Sequence, residues 1–469
     1  MRYYFLGIAG TAMASLAALL KLKGHQVWGT DQGIYPPMSD FLRQQNIPVW
    51  EGYEEAHLEQ PFDAAVIGNA LSRGNVEVEA ILNRKLPFTS LPELIHREFI
   101  RHHHNIVITG THGKTTTTAL MGWVLEVADY RPTCLIGGVS RNFGASIRLN
   151  EGDYFVIEGD EYDCAFFDKR PKFLHYFPDH LIINNLEFDH ADIYPNLEAI
   201  QDAFRKLLRI VPGKGLVIAN GDSPAVREVL EPVYSRLQRF GADPQHEWRY
   251  ELLETGAAGS RFRLWHQGRL WGEFQFPFPG EFQVQNATAV AAVAHDLGIS
   301  AATLARAFRT FRGVRRRMEH WGQWNGAEVF DDFAHHPTAI AVTLQAMRKR
   351  FPDRRLVALF EPRTNTTVRK VFQKDLAEAL SPADVVVLTP IHRAERLPED
   401  SRLSLTRLSE DLRAQGVVVH GLKEYREIVP TLETLLQPGD VLVLLTNGSL
   451  GGEYQPLRER VQQGYNSMD

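Results

Sequence analysis

The segment Gly110-Thr111-His112-Gly113-Lys114-Thr115-Thr116 carries the residue types that grip a nucleoside triphosphate. It follows an apolar run at 105–109 and leads into the helix-like stretch TTTTALMGWVLEVA at 115–128, so it reads as a strand-to-helix loop. Two glycines let backbone N–H groups approach phosphate oxygens, Lys114 supplies a cation for the β and γ phosphates, and Thr115 offers a hydroxyl to Mg²⁺. The loop is shorter than the eight-residue consensus, which wants a glycine where Ile108 stands.

Two acidic strings sit where apolar runs end. The first is Glu158-Gly159-Asp160-Glu161-Tyr162-Asp163, after the run at 154–158. The second is Asn184-Asn185-Leu186-Glu187-Phe188-Asp189-His190-Ala191-Asp192, after the run at 181–183. Parallel sheets place ligands at the carboxyl ends of their strands, and hard oxygen donors beside a phosphate loop suit Mg²⁺. Further on, Arg315-Arg316-Arg317 precedes Phe330-Asp331-Asp332-Phe333-Ala334-His335-His336-Pro337-Thr338. Arginines can fork onto polyphosphate, and an aspartate at a strand end can hold ribose hydroxyls. The bland readings are a solvated basic turn and a helix cap, with Pro337 in the first turn.

At the start of the chain, Gly7-Ile8-Ala9-Gly10-Thr11-Ala12-Met13 follows a strand, and Asp31 ends the next one. A dinucleotide fingerprint would have this layout, but Ala9 and Ala12 stand at its second and third glycine positions. The loop therefore reads as a site for a nicotinamide dinucleotide, for another diphosphate, or as a structural turn.

These segments need elements to aim them. Runs rich in Val, Ile, Leu and Phe alternate with helix-length amphipathic stretches, which predicts βα units and mostly parallel sheets. Three blocks separate: 1–104, 105–314 with a β-rich stretch near 261–278, and 315–469. A length of 469 residues supports that number. His102-His103-His104 falls at the first boundary and reads as a solvated linker, since no further ligands flank it at metal-binding spacing. With 44% apolar and 23% charged residues and no apolar run near 20 residues, a membrane span is not expected. The start lacks a signal-peptide pattern and the only cysteines, Cys134 and Cys164, form no CxxC pair, so a reduced, cytoplasmic protein is expected. A net charge of −6 offers no basic field for nucleic acid.

Taken in order, GIAGTAM, GTHGKTTTT, EGDEYD, NNLEFDHADIY and DDFAHHPTA resemble the motifs of the Mur ligase family, ATP-dependent amide-forming enzymes of cell-wall precursor synthesis. The resemblance covers the whole chain. It implies an α/β architecture with a Rossmann-like N-terminal domain for a UDP-sugar, a central P-loop ATPase domain and a Rossmann-like C-terminal domain for a peptide acceptor. FEPRTNT at 360–366, EGDEYD and NNLEFDHADIY are similar to the branch joining L-alanyl-γ-D-glutamyl-meso-diaminopimelate to UDP-N-acetylmuramate; the alternative is the branch that adds L-alanine. A nicotinamide-dependent dehydrogenase and a nucleotide-binding regulator are readings from other classes, and both leave the phosphate loop or its acidic neighbours unexplained.

Carried over by position, the resemblance gives Lys114, Glu158, His190 and Arg317 catalytic roles, and gives Thr115, Glu158 and His190 to Mg²⁺. Gly110 to Thr116, Asn286, Arg317, Asp332 and His335 would contact ATP. Gly7, Ala9, Gly10, Thr11, Ala12, Met13, Asp31, Gly138 and Asn142 would face the UDP-sugar, and Arg363 and Asn447 the peptide. The substrates are small molecules, and no obligate protein partner is implied. Phe282 and Gln283 replace a His-Asn pair of the family, and Lys206 is only a loose neighbour of the lysine that some branches carbamylate. Closure of the third block over bound ligands is also expected, because an activated acyl group must be kept from water.

Overall fold

In the computed structural model, which describes residues 1–34, 38–191, 193–364 and 366–466, the chain forms three large sheets and a two-stranded antiparallel ribbon of Asp163–Ala165 and Asp168–Pro171. Asp192 and Asn365, which belong to two of the motifs above, lie outside the described residues.

The N-terminal sheet is wholly parallel, ordered Val49–Glu51, Gln26–Asp31, Arg2–Leu6, Ala64–Ile67, Phe88–Ser90. The order reverses at the first strand, so the loop after Leu6 opens at the switch point. The helix Thr11–Leu22 that follows is buried continuously from Met13 to Leu20. Its near-uniform apolarity has a physical reason: one side covers its own sheet while the other packs on Leu135, Ile147 and Phe155 of the central domain. Ser15 and Ser146 hydroxyls meet across that seam at 2.8 Å.

The central sheet has ten strands. Its middle places Leu216–Asn220, His180–Ile183, His104–Thr109 and Tyr154–Glu158 side by side, all parallel. These strands are buried on both faces, which explains their unbroken apolar runs. The register pairs Ile183 with Thr109 and Ile108 with Glu158, so the phosphate loop and both acidic strings emerge at one level. At the far edge the β-rich stretch becomes an antiparallel meander of Trp248–Gly256, Gly259–His266 and Arg269–Phe276. The helix Lys114–Val127 is covered by Glu281–Asp296 and Ala301–Thr310.

The C-terminal sheet runs Glu319–Trp324, Ala327–Asp332, Val441–Leu445, Leu356–Phe360, Val385–Leu388, Val418–Gly421; only its first pair is antiparallel. Asp332 and Phe360 both pair with Leu445, which brings Asp332, Glu361 and Thr446 to one end.

The histidine triplet corrects one expectation. Only His102 is exposed; His104 opens the strand His104–Thr109 and its Nε2 lies 2.7 Å from His180 Nδ1, while His180 Nε2 reaches Asp296 at 2.8 Å. Strand pairing, which the linker reading did not anticipate, pulls this residue inward.

A pH signature follows from Asp331. Burial raises its carboxyl to about 7 against the nearby Arg316, while Tyr454 donates to it and Glu319 and Asp332 add negative charge. Because the folded pKa lies above the unfolded one, the neutral acid's contribution is complete below about pH 4 and is lost as pH rises through about 7. Asp331→Asn is expected to remove this component, flattening the melting temperature between those pH values and raising it at pH 8; an unchanged profile in a melting series across that range would refute it.

Candidate active site

The site is built where three of the parallel strands of the central domain end, His104–Thr109, Tyr154–Glu158 and His180–Ile183. Gly110 and Gly113 have φ of 128° and 82°, a region that penalises any other residue. A side chain at Gly113 would also meet Asn286 Oδ1 at 2.7 Å, so the helix carrying Asn286 packs directly on the loop. Lys114 begins the next helix, and its buried Nζ donates to Gly110 O at 2.7 Å and to both carboxylate oxygens of Glu161 at 3.0 Å. Desolvation alone would lower this ammonium, but Glu161, Asp160 and Glu158 together hold it well above its ordinary value.

Glu161 is shared: His190 Nε2 lies 2.8 Å from its Oε1. Burial opposes charge on His190, yet the hydrogen bond and charge of Glu161 raise it. His190 sits in the left-handed region at φ 58°, an uncommon conformation that places its ring 4.0 Å from that of Tyr162. On the other side of the loop, Thr115 Oγ1 donates to Glu158 Oε1 at 3.2 Å and Gly137 N–H donates to Oε2 at 3.1 Å. A Cβ at Gly137 would stand 2.3 Å from that oxygen, so any other residue there must displace the Glu158 carboxylate. Desolvation is the chief reason the Glu158 carboxyl is raised.

The C-terminal domain closes the opposite wall. Arg317 lies over the Phe333 ring at 5.0 Å and reaches Thr115 Oγ1 at 3.5 Å. Arg316 turns away: it donates to Thr446 O and Gly448 O and stacks on Tyr454. Asp332 Oδ2 accepts from Met318 N–H at 2.6 Å and Oδ1 from Ala334 N–H at 2.8 Å, so it shapes the turn that follows it. His335 donates Nδ1–H to Phe333 O at 3.0 Å, and burial lowers it to about 4.

Between the two domains lies a cavity of about 620 Å³, lined among others by Thr111 to Thr116, Glu158, His190, Asn286, Arg317, Asp332, His335 and Asn447. That size suits a nucleotide. Three buried amide oxygens, Asn184 Oδ1, Gln283 Oε1 and Asn447 Oδ1, have no hydrogen-bond partner among the described residues and belong to residues lining the cavity. Such acceptors are costly to bury alone, so the wall is suited to a ligand carrying donors. Glycine-bounded amides, a buried ammonium and a ring of carboxylate, hydroxyl and imidazole donors fit a polyphosphate with Mg²⁺.

Other sequence candidates lie elsewhere. Gly138 abuts Thr115 and Val314, where a Cβ would stand 3.2 Å and 3.0 Å from their side chains, just outside that wall. Asn142 is occupied at both ends of its amide, donating to Thr310 O at 2.9 Å and accepting from Arg312 N–H at 2.8 Å. Asp31 Oδ2 accepts the Ala9 N–H at 2.8 Å, which ties the N-terminal loop of Gly7 to Met13 to the end of the second strand. Arg363 lies against Gly448 and within 3.4 Å of Glu361 and 3.3 Å of His392. Glu161, Glu187, Asn184 and Gly137 were not singled out from the sequence. Glu161 was one of four carboxylates in one string, and only the turn after Glu158 decides which of them meets the lysine.

Comparison with known proteins gives consistent matches along the chain. Residues 2–103 match the Mur ligase family catalytic domain, 108–294 the Mur ligase middle domain, and 316–448 the Mur ligase glutamate ligase domain. The chain is 41% identical over 97% of its length, and 97% of the relative's, to UDP-N-acetylmuramate–L-alanyl-γ-D-glutamyl-meso-2,6-diaminoheptandioate ligase of Escherichia coli K12. It is 38% identical to the Haemophilus influenzae protein of the same name, over 98% of this chain and 99% of that one. The crystal structure of a murein peptide ligase from Psychrobacter arcticus superposes with a TM-score of 0.76 at 35% identity, covering 98% of both chains.

Proposed function

The chain belongs to the Mur ligase family, and from that premise we propose that it joins L-alanyl-γ-D-glutamyl-meso-diaminopimelate to the lactyl carboxylate of UDP-N-acetylmuramate, with cleavage of ATP to ADP and phosphate. The observation that carries this reading is the Lys114–Glu161–His190 cluster beside Thr115, Glu158 and Arg317 at a nucleotide-sized cavity. The substrate choice is supported by full-length likeness to two ligases named for that tripeptide.

The chemistry must bring two anions together. A carboxylate attacks the γ phosphorus, giving an acyl phosphate and ADP; the amine of the peptide then attacks the acyl carbon and phosphate leaves. Thr115, Glu158 and His190 would hold Mg²⁺, which when bound screens charge on the phosphates. Lys114 places its ammonium at the β and γ phosphates, and Arg317, steadied by Phe333, adds charge from the C-terminal side. Gly110 to Thr116 supply backbone donors, and Asn286, Asp332 and His335 border the nucleotide. The loop of Gly7, Ala9, Gly10, Thr11, Ala12 and Met13 faces the UDP-sugar, held by Asp31, and Asn142 steadies the segment that carries Gly138. Arg363 and Asn447 face the peptide carboxylates. Contacts of Glu187 and Asp189 with Thr338 and Thr366 already join the two domains that must exclude water.

Phosphate release from ATP with Mg²⁺ and UDP-N-acetylmuramate tests the reading directly. Release with the tripeptide and not with L-alanine is expected; release with L-alanine alone would assign the chain to the L-alanine-adding branch. In the same assay Gly137→Ala is expected to lower kcat by about 10²-fold, because the new methyl displaces Glu158 by about an ångström. A kcat within twofold of wild type would show that the Glu158 position is unimportant.

A further inference from the structure

Three side chains that line the same cavity form a group to which the steps above give no role. His112 belongs to the loop, Glu187 follows the strand His180–Ile183, and His336 caps the helix Pro337–Arg350 of the C-terminal domain. His112 Nε2 lies 3.3 Å and His336 Nδ1 3.6 Å from the same oxygen, Glu187 Oε2, and all three donor atoms fall within 4.8 Å of one another. Donors about 2.1 Å from a tetrahedral metal stand about 3.4 Å apart, so both measured edges have the length that a bound ion requires.

The hydrogen bonds around the group orient it as metal ligands are oriented. His336 gives its Nε2–H to Phe188 O at 3.1 Å, and its Nδ1, which accepts the Thr338 N–H at 3.3 Å as the helix cap, lies 3.6 Å from Glu187 Oε2, so a bound ion would take that lone pair in place of the cap. An imidazole anchored through its other nitrogen to a backbone carbonyl is the usual arrangement for a ligating histidine. The ion pairs of Glu187 among the described residues are with the two histidines, so no guanidinium or ammonium occupies the position. The Thr338 hydroxyl, which donates to the same Glu187 oxygen, stands next to it as a further oxygen donor.

We propose that His112, Glu187 and His336 form a binding site for a borderline-soft divalent transition metal, Zn²⁺ by the chemistry of its donors, bridging the phosphate loop and the C-terminal domain. Two imidazoles favour Zn²⁺ over Mg²⁺, which prefers the oxygen-richer set of Thr115 and Glu158. The ion joins two domains through ligands from both, so it restrains their separation.

The test is equilibrium dialysis of the full-length protein against Zn²⁺ in a large excess of Mg²⁺, with no nucleotide or sugar present, so its result does not depend on the proposed ligase activity. Wild type is expected to retain one Zn²⁺ per chain. Glu187→Gln and His336→Asn, the latter keeping a side chain able to cap the helix, are expected to weaken binding at least tenfold. Zn²⁺ should raise the melting temperature of wild type only. Should either variant fail to fold, proton NMR of the Co²⁺-loaded wild type under the same Mg²⁺ excess decides, with two paramagnetically shifted imidazole N–H signals expected. The proposal is overturned if wild type retains no Zn²⁺, if both variants bind it as wild type does, or if fewer than two shifted imidazole signals appear. Undiminished binding in both variants would move the ion elsewhere, for instance to Cys164, Asp168 and His175.

Discussion

Lys114→Met is expected to lower ATP turnover by about 10³-fold or more while the protein remains folded. The ammonium is the buried cation of the cavity wall, placed by the first turn of its helix and by Gly110 O. Methionine keeps the volume and removes the charge that must neutralise the transferring phosphoryl group. If the reading is right, kcat falls far more than the KM for UDP-N-acetylmuramate changes, because the sugar is proposed to sit on another domain. Comparable loss in both parameters, measured by phosphate release over a matrix of substrate concentrations, would point to a general collapse of the site instead.

The largest stability effect is expected at Glu161. This carboxylate is 3% exposed and is the common partner of Lys114 and His190. Glu161→Ala leaves two buried basic groups without it, a change that costs about 3–5 kcal/mol where one member of a buried ion pair is removed. Asp160 cannot substitute, since it is engaged by Lys172 at 3.0 Å. Urea unfolding at neutral pH measures the loss, and a difference under about 1 kcal/mol would show that the cluster contributes little to folding. In the double variant with Lys114→Met the loss should be smaller than the sum of the two single losses, because the charge left unpaired by Glu161→Ala is then absent.

Much of the architecture could be read along the chain. Parallel strands covered on both faces need continuous apolar runs, and the runs at 105–109, 154–158, 181–183, 356–360 and 441–445 lie in buried strands. The glycines of the phosphate loop were legible because positive φ leaves few other residues possible. The His102–His104 triplet was misjudged for the opposite reason: nothing local announces that His104 pairs with His180, 76 positions away.

Sequence by itself therefore determined which segments are strands, where the phosphate-type loop lies, and which family the chain belongs to, since these depend on residue type and short spacing. Tertiary structure alone decided the partnerships: that Glu161 and not its neighbours meets Lys114, that Gly137 gives room to Glu158, that Asp332 is spent on its own turn, and that His112 and His336 converge on Glu187 from two domains. The physical reason is range. A turn or a strand is set by forces acting over a few residues, whereas a hydrogen bond of about 3 Å between distant segments depends on sheet register and domain packing, which the order of residues specifies only through the whole fold.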